Sequence, residues 1–589
     1  MISKPTKSGN QSIGFSDLKK IFQSIPNFIF VYHSAIIFLL VFIINFLLVS
    51  PSLMPRFTEI NPDDQAKYVE SGWRLLRGDI RDLAWGPMVS LIYAPLHLIV
   101  GDSLDWFLLE TWLGGFLLYS FLWWTTFYLA YQFKAYLSPY IMLGVLFVST
   151  PLFSVLRNQS DAVFLGFSAL ALAQLIKFYQ DRKLKDLGIA SLMVGLGILA
   201  RVETIILVAT LAIIGIIIGR IKYPLYKILL SSLLPALCVL GIFFFSSLIL
   251  VGDLNLGLAY KSYDSFEMNQ AILTGGDIEL ARQETRRLFG IQEENQGSVL
   301  RAILRNPSAF TLRILANAKT IPESYFDFFG KKMGALLLFF AAWGMYGFYR
   351  KKAIIPLLIL LLWPLHAFVY LGFLSLHIIP QVSYLPLLLG AVGIAGIFSP
   401  DFPPRQQGIV LLSSILILIL SWITEKPAFF FGFLLLVFVL LLFRLFRLGL
   451  EQNHPAMLVP LLLLLAAGLV LRDPFPFPNY PVLGTTADEQ AVYYLEEFLP
   501  SQTTILAPSP LPALAAKLSY LTMDDIPEEI TSLQDFSNWL KQQDVRAILL
   551  DSNHRVRNDI YDLMEEGYSP YFSSVYASAD NKFRIFSIK

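Results

Sequence analysis

Cysteine, histidine and charged side chains are all scarce in this chain of 589 residues. The single cysteine, Cys238, lies inside an apolar run, which excludes a disulfide framework and a cysteine metal site. The six histidines do not combine with cysteine at the spacings typical of metal sites. Charged residues make up 15% of the chain and the net charge is +1, so no nucleic acid is expected among its partners.

Apolar residues, by contrast, make up 55% of the chain, and the mean hydropathy is +0.59. A soluble domain of this length cannot bury so much apolar surface, so the composition indicates a polytopic α-helical protein of the lipid bilayer. The polar segment 1–23 precedes roughly 20 apolar residues, the length of a spanning helix. We interpret this run as an uncleaved first span rather than as a signal peptide.

The basic residues predict the orientation, because cytoplasmic loops are enriched in Lys and Arg. Lys19 and Lys20 assign residues 1–27 to the cytoplasm, and clusters near 182, 220, 350 and 444 fall on the same side. The chain then has about 13 spans, near residues 28–48, 106–131, 139–156, 161–180, 187–200, 203–219, 228–250, 333–349, 353–373, 377–398, 409–423, 427–445 and 455–471. We predict a multi-pass protein of a bacterial cytoplasmic (inner) membrane, with an extracytoplasmic C-terminus.

Two outer loops interrupt the predicted transmembrane module, which covers residues 28–471. The first loop, 51–105, contains the apolar run Pro87–Val100, which is shorter than the roughly 20 residues that a spanning helix needs. We therefore predict an interfacial or re-entrant helix there. The second loop, 252–332, is polar, and one of its predicted helices covers residues 298–318.

After the last predicted span the composition changes, and residues 472–589 read as a small extracytoplasmic α/β domain. Alternating and continuous apolar patterns predict helices at Ala487–Phe498 and Asn558–Glu566, and strands at Thr504–Ala507, Val545–Asp551 and Phe583–Ile588. The segment has no phosphate-binding glycine loop, no nucleophile elbow and no metal motif. We interpret it as an accessory or acceptor-handling domain.

The predicted topology gathers charged residues on the outer face, beside the adjacent carboxylates Asp63 and Asp64. The other members are Arg157, Asp161, Arg201 and Glu203. Ionisable groups at membrane depth are costly and usually face a cavity or one another. Any one pair is well explained as an ion pair that orients helices, whereas the whole set on one face favours an active site.

These residues fall in segments that resemble GT-C glycosyltransferases, in the branch of the protein O-mannosyltransferases and the lipid A aminoarabinose transferase. Asp64-Gln-Ala-Lys-Tyr68 with Arg74-Leu-Leu-Arg-Gly78 is similar to the acidic motif of the family's first loop. Arg157-Asn-Gln-Ser-Asp161 resembles its Arg-x-x-x-Asp element, and Gly195–Glu203 resembles its Gly-Leu-x-x-Leu-x-Arg-x-Glu element.

The sequence departs from the family pattern at two places. Gly86-Pro87 stands where the family has His-Pro-Pro-Leu, so the imidazole is missing. Gln381-Val-Ser-Tyr384 resembles a Gln-x-Arg-Tyr element, but Ser383 stands where an Arg is usual. The charge that this Arg gives to a donor phosphate must come from another residue or be absent.

The resemblance implies transfer of a sugar from a polyprenyl-phosphate donor to an acceptor on the outer face, with inversion. Asp64 is then the general base for the acceptor, and Asp63 takes that role if the alignment shifts by one residue. Asp161 is the third catalytic candidate, as a neighbouring carboxylate that raises the basicity of the base. The acceptor, whether protein, lipid or glycan, is not determined by the resemblance.

Cations must stabilise the departing phosphate, and Arg is best suited because its guanidinium binds two oxygens at once. The candidates for the donor phosphate are Arg201, Arg157, Lys331 and Lys332. For the two lysines, snorkelling to the membrane interface is the simpler explanation. Supporting roles are assigned to Glu203, Tyr68, His377 and Gln381.

Two questions stay open from the residues alone. Asp63, Asp64 and Asp161 supply the hard oxygen ligands that Mg²⁺ or Mn²⁺ accepts, but adjacent side chains need not converge, so no cofactor is assigned. The alternative functions are an O-antigen ligase or polymerase, which also handles polyprenyl-linked glycans, and a lipid or polysaccharide transporter. A transporter typically has internal repeats, and the sequence shows none.

Overall fold

The protein divides into two units, residues 1–49 and residues 50–589. A computed structural model describes residues 36–47, 49, 62–78, 87–101, 106–133, 139–148, 156, 159–251, 263, 265–268, 278–372, 378–397, 487–507, 512–513, 516–522, 525–527, 529–530, 532–551, 570–578 and 583–589. The first unit contains one described helix, α1, at Ile36–Leu47. All other elements belong to the second unit.

The first half of the second unit is helical. Its helices are α2 Pro62–Leu76, α3 Pro87–Val100, α4 Trp106–Gln132, α5 Pro139–Val148, α6 Gln159–Asp181, α7 Leu184–Ile198, α8 Ile206–Gly219 and α9 Leu225–Val251. Proline opens α2, α3 and α5, where its missing N–H has no helical partner to lose. The helix predicted at Pro87–Val100 is confirmed with the same bounds.

The helices that follow begin in the segment 252–332. They are α10 Ile278–Phe289, α11 Val299–Arg305, α12 Pro307–Phe329, α13 Lys331–Arg350, α14 Ile354–Leu362 with a 3₁₀ extension Trp363–Leu371, α15 Ile378–Val382 and α16 Tyr384–Ile397. The single helix predicted over 298–318 is wrong, because the chain breaks at Asn306. The Asn306 side chain accepts from the Ala309 N–H at 3.1 Å and caps α12, whose first residue is Pro307.

Three of the described helices are long and apolar enough to cross a membrane: Leu109–Gln132, Gln159–Asp181 and Leu225–Ile249. A fourth candidate is the pair Pro307–Phe329 and Gly334–Arg350, bent by 106°. With the shorter apolar helices, these elements make an integral membrane protein. The predicted spans near 409–423, 427–445 and 455–471 lie outside the described residues, so the number of about 13 stays a prediction.

Helix α6 is central to the helical part. It packs against α4 and α7. Its apolar stretch is 78% buried, compared with 28% for that of α9. Helices α13 and α16 approach most closely: a Cβ at Gly344 would lie 2.0 Å from the Leu389 carbonyl oxygen, and one at Gly393 would lie 2.0 Å from that of Phe340. Backbone contact of this kind is typical of membrane helices with small residues at the crossing.

The C-terminal segment forms the predicted α/β domain. Its strands are β1 Thr504–Ala507, β2 Ser519–Thr522, β3 Val545–Asp551, β4 Phe572–Ala577 and β5 Phe583–Ile588, and its helices are α17 Ala487–Phe498 and α18 Leu533–Gln542. The sheet order is β2-β1-β3-β5-β4, with β1 parallel to both neighbours and β5 antiparallel to both of its own. The predicted helix at Asn558–Glu566 lies outside the described residues.

Candidate functional site

The candidate site is built around Asp161, in the first turn of α6. Its side chain is buried, with 3% of the residue exposed. A carboxylate in this position is favoured by the positive end of the helix dipole, because the N–H groups of the first turn have no partner within the helix. A buried carboxylate still needs a cation or strong donors beside it.

Arg201 supplies that cation from the junction between α7 and α8. The junction is a 3₁₀ turn, Val202–Ile205, at which the chain reverses, so that Leu187 on α7 lies against Gly215 on α8. The Arg201 guanidinium donates from Nε at 2.8 Å and from Nη2 at 2.7 Å to the same oxygen, Oδ1 of Asp161. Arg201 itself is 9% exposed, so both members of this ion pair are buried.

Gln381 completes the cluster from α15. Its Nε2 donates to Oδ1 of Asp161, so three donors converge on one carboxylate oxygen. The Gln381 residue is fully buried, and its Oε1 makes no hydrogen bond with the described residues. Three of the predicted site residues, separated by 40 and 220 positions along the chain, therefore meet in one place.

A second polar network fixes the break between α15 and α16. Ser383 donates to the Pro380 carbonyl oxygen at 2.9 Å and caps the break. The Tyr384 and Ser168 hydroxyls lie 3.4 Å apart, and the Trp363 indole donates to Ser168 at 2.9 Å. Because Ser168 is on α6, the network holds the segment of Gln381 against the helix of Asp161.

The segment before α4 reaches the same region through α3. The Met88 N–H donates to the Leu199 carbonyl oxygen at 3.4 Å, two residues before Arg201. On the same helix, the buried Tyr93 side chain lies beside Gln159 at the start of α6, although its hydroxyl makes no hydrogen bond of standard geometry with the described residues. Helix α3 therefore lies between α2 and the Asp161 cluster.

Helix α2 carries the predicted base. Asp63 and Asp64 lie in its first turn, but their side chains are outside the described residues, so their roles stay predictions. Tyr68, predicted to support the site, is buried on this helix with 3% exposure. The Ser90 hydroxyl donates to the Ser71 hydroxyl at 2.7 Å and joins α3 to α2.

A buried pair of His97 and Glu110 was missed by the sequence reasoning. His97 Nδ1 lies 2.5 Å from Glu110 Oε1, and the two residues are 7% and 0% exposed. They join α3 to α4, and the Glu110 carboxylate is close enough to the Tyr93 hydroxyl to interact with it electrostatically. The available signal was a lone carboxylate within an apolar span, which needs a partner at membrane depth.

The remaining predicted residues are not tested by the geometry. Arg157 and His377 lie outside the described residues, and for Glu203, Lys331 and Lys332 only the backbone is described. Lys331 is the first residue of α13. Among the described residues, no three His, Cys, Asp or Glu side chains converge as metal ligands.

Comparison with known proteins identifies the fold. No model of a protein family matches this chain, and no curated protein matches its sequence. Two crystal structures of ArnT from Cupriavidus metallidurans, one bound to undecaprenyl phosphate and one in the apo state, are similar to it. Each has a TM-score of 0.54 and 12% sequence identity, and the alignment covers 94% of this chain and 98% of ArnT. The chain thus has the fold of ArnT, a GT-C lipid A aminoarabinose transferase, as the resemblance predicted.

Proposed function

We propose that this protein transfers a sugar from a polyprenyl-phosphate donor to an acceptor at the extracytoplasmic face of the membrane. The observation that carries the proposal is the buried cluster of Asp161, Arg201 and Gln381, found in a chain with the ArnT fold. ArnT was crystallised with undecaprenyl phosphate, a lipid of this donor class. In this proposal residues 1–27 are cytoplasmic and residues 472–589 are extracytoplasmic.

The reaction is a displacement at the anomeric carbon. The acceptor hydroxyl or amine attacks this carbon, the bond to the phosphate oxygen breaks, and its electron pair stays on the polyprenyl phosphate. The acceptor proton passes to the carboxylate of Asp64, or of Asp63 if that residue is the base. A single base on the face opposite the phosphate gives inversion, and general-base assistance contributes about 100- to 10,000-fold.

Arg201 is assigned to the phosphate of the leaving group. A guanidinium has five donors in one plane, and the two bonds from Nε and Nη2 to Asp161 fix the orientation of that plane. A cation held in this way needs little rearrangement as charge develops on the phosphate, which is the condition for strong electrostatic stabilisation. Asp161 then acts through Arg201 as a positioning residue.

Gln381 is assigned to a hydroxyl of the sugar or of the acceptor. Its Oε1 is a buried hydrogen-bond acceptor that the described residues leave unsatisfied, while its Nε2 is anchored to Asp161. A buried polar atom without a partner is destabilising, by about 1–3 kcal/mol. A substrate hydroxyl that donates to Oε1 removes this penalty and selects for hydroxylated ligands.

The test is transfer of radiolabelled sugar from a panel of polyprenyl-phosphate donors in membranes. We expect Asp64→Asn to lower transfer by several hundredfold, within the range for loss of a general base. Asp181→Asn is the matched control, because this carboxylate ends α6 about 30 Å from Asp161 along the helix axis. If Asp63→Asn alone abolishes transfer, the base is Asp63; if neither variant differs from wild type, the proposal is wrong.

A further inference from the structure

Helix α2 is held against the protein along one side by α3. A Cβ at Gly72 would lie 2.4 Å from the Cβ of Tyr93, so the two helices are almost in backbone contact at this point. Gly72 is eight positions after Asp64, which corresponds to about 12 Å along the helix axis. A small rotation of α2 about this contact therefore displaces the proposed base substantially.

A second group of residues on α2 forms a contact that opposes this rotation. Arg74 Nε donates to Glu70 Oε1 at 2.7 Å, and the Glu70 residue is buried with 4% exposure. Tyr520, in β2 of the C-terminal domain, lies beside both side chains. The three residues come from segments about 450 positions apart, so this is a contact between the first outer loop and the C-terminal domain.

The environment of Tyr520 is unusual for a side chain of a surface domain. Its hydroxyl is buried and makes no hydrogen bond of standard geometry with the described residues, although the Glu70 and Arg74 side chains both lie close to it. Burial, followed by the Glu70 carboxylate, raises the pKa of the Tyr520 hydroxyl far above its ordinary value, so the group keeps its proton. Burial opposes the charge on Arg74, but Glu70 holds the pKa of this guanidinium above its usual range.

These charges make Tyr520 a donor to Glu70 rather than an anion beside it. A buried hydroxyl normally has a hydrogen-bond partner, and the Glu70 carboxylate is the acceptor beside Tyr520. The Tyr520 ring packs on the hydrophobic core of the C-terminal domain, between that core and α2. The contact therefore joins a rigid sheet to the helix of the proposed base.

We propose that Tyr520 is a positioning residue, through which the C-terminal domain fixes the rotation of α2 and with it the acidic pair of the first outer loop. The effect on transfer rests on the proposed function, whereas the contact itself does not. Displacement of a catalytic group by about 1 Å can lower a rate by 100-fold, so loss of one hydroxyl at this contact is measurable.

The contact is tested first, by photocross-linking in membranes without any assay of activity. Tyr520→p-benzoylphenylalanine is expected to give a cross-link to a peptide of residues 62–78. Tyr494→p-benzoylphenylalanine is the matched control, because Tyr494 is in the same domain but packs on Tyr576 and donates to the Val575 carbonyl oxygen. If the control cross-links within its domain and position 520 gives no product with residues 62–78, the inference is overturned.

The positioning role is tested by Tyr520→Phe in the full-length protein. We expect kcat to fall about tenfold, equivalent to 1.4 kcal/mol, with the KM for the polyprenyl donor unchanged and Tyr494→Phe like wild type. In a Glu70→Gln, Arg74→Met background the same substitution should have no further effect. An unchanged kcat, or an equal loss in both backgrounds, contradicts the proposal.

Hydrogen exchange separates this inference from the proposed function. Tyr520→Phe should raise amide exchange in residues 62–78 at least threefold and leave α6 unchanged. If wild type transfers no sugar, the proposed function fails, and the exchange result still decides the inference. Equal exchange in Tyr520→Phe and wild type overturns it.

Discussion

At the scale of single residues, the decisive feature is one carboxylate oxygen that receives three donors. Asp161 Oδ1 accepts from Arg201 twice and from Gln381 once. Removing two charges from water is unfavourable unless the geometry is good and the other polar atoms are satisfied. Despite this unfavourable desolvation, the pair supplies a planar cation at a fixed orientation, which hydrophobic residues of the same volume cannot provide.

The first prediction separates stability from activity in this pair. Arg201→Met should lower the free energy of unfolding by about 3–5 kcal/mol, because it leaves Asp161 buried without its cation. The double variant Asp161→Leu, Arg201→Met should recover most of that stability while transfer stays lost. Thermal unfolding in detergent and the transfer assay measure the two effects. Recovery of transfer in the double variant would show that the pair is only structural.

The second prediction concerns the buried pair of His97 and Glu110. Glu110→Ala should destabilise the protein by about 3 kcal/mol, because it removes a buried carboxylate that contacts the His97 ring and leaves a cavity between α3 and α4. Glu284→Ala is the matched control, since Glu284 binds Arg287 on the exposed surface of α10. The melting temperature should fall for the first variant and stay unchanged for the control. Equal shifts would contradict the assignment.

At the scale of elements, the sequence predicted the helices and strands whose bounds are set by local residue patterns. The bounds of α3, β1, β3 and β5 agree with the predictions, because proline punctuation and continuous apolar runs define them. The four residues of β2 have no such pattern and form a strand only because β1 lies beside them. The predicted topology already placed Asp161 and Arg201 on one face, whereas only the family resemblance pointed to Gln381, since no local pattern encodes a contact over 220 positions.

The third prediction concerns the crossing of α13 and α16. Gly393→Ala should destabilise the protein by several kcal/mol, because its Cβ would meet the Phe340 backbone oxygen at 2.0 Å and a rigid helix cannot yield. Gly241→Ala on α9 is the control, since nothing lies within 4 Å of its Cβ. Alanine favours a helix over glycine by about 1 kcal/mol, so the control should be equal to wild type or more stable. Thermal unfolding in one detergent measures both.

At the scale of the whole molecule, irregular backbone gathers at the site. The α7–α8 junction carries Arg201, and the break between α15 and α16 follows Gln381 directly. Non-helical backbone at membrane depth is tolerated only where it is buried in protein or lines a polar cavity. The breaks therefore mark the same region as the charges, and Tyr520 lies beside α2, the helix that packs on α3 next to this region.

The separation of the site residues along the chain sets an order for biosynthesis. Asp161 and Arg201 are 40 positions apart on consecutive helices, so the ion pair can form soon after both have left the ribosome. Gln381 follows Asp161 by 220 positions, which takes roughly 10–40 s at typical rates of translation. During that interval the early helices hold a satisfied ion pair rather than a bare charge in lipid. Arg201 thus protects the nascent chain before it has any substrate to bind.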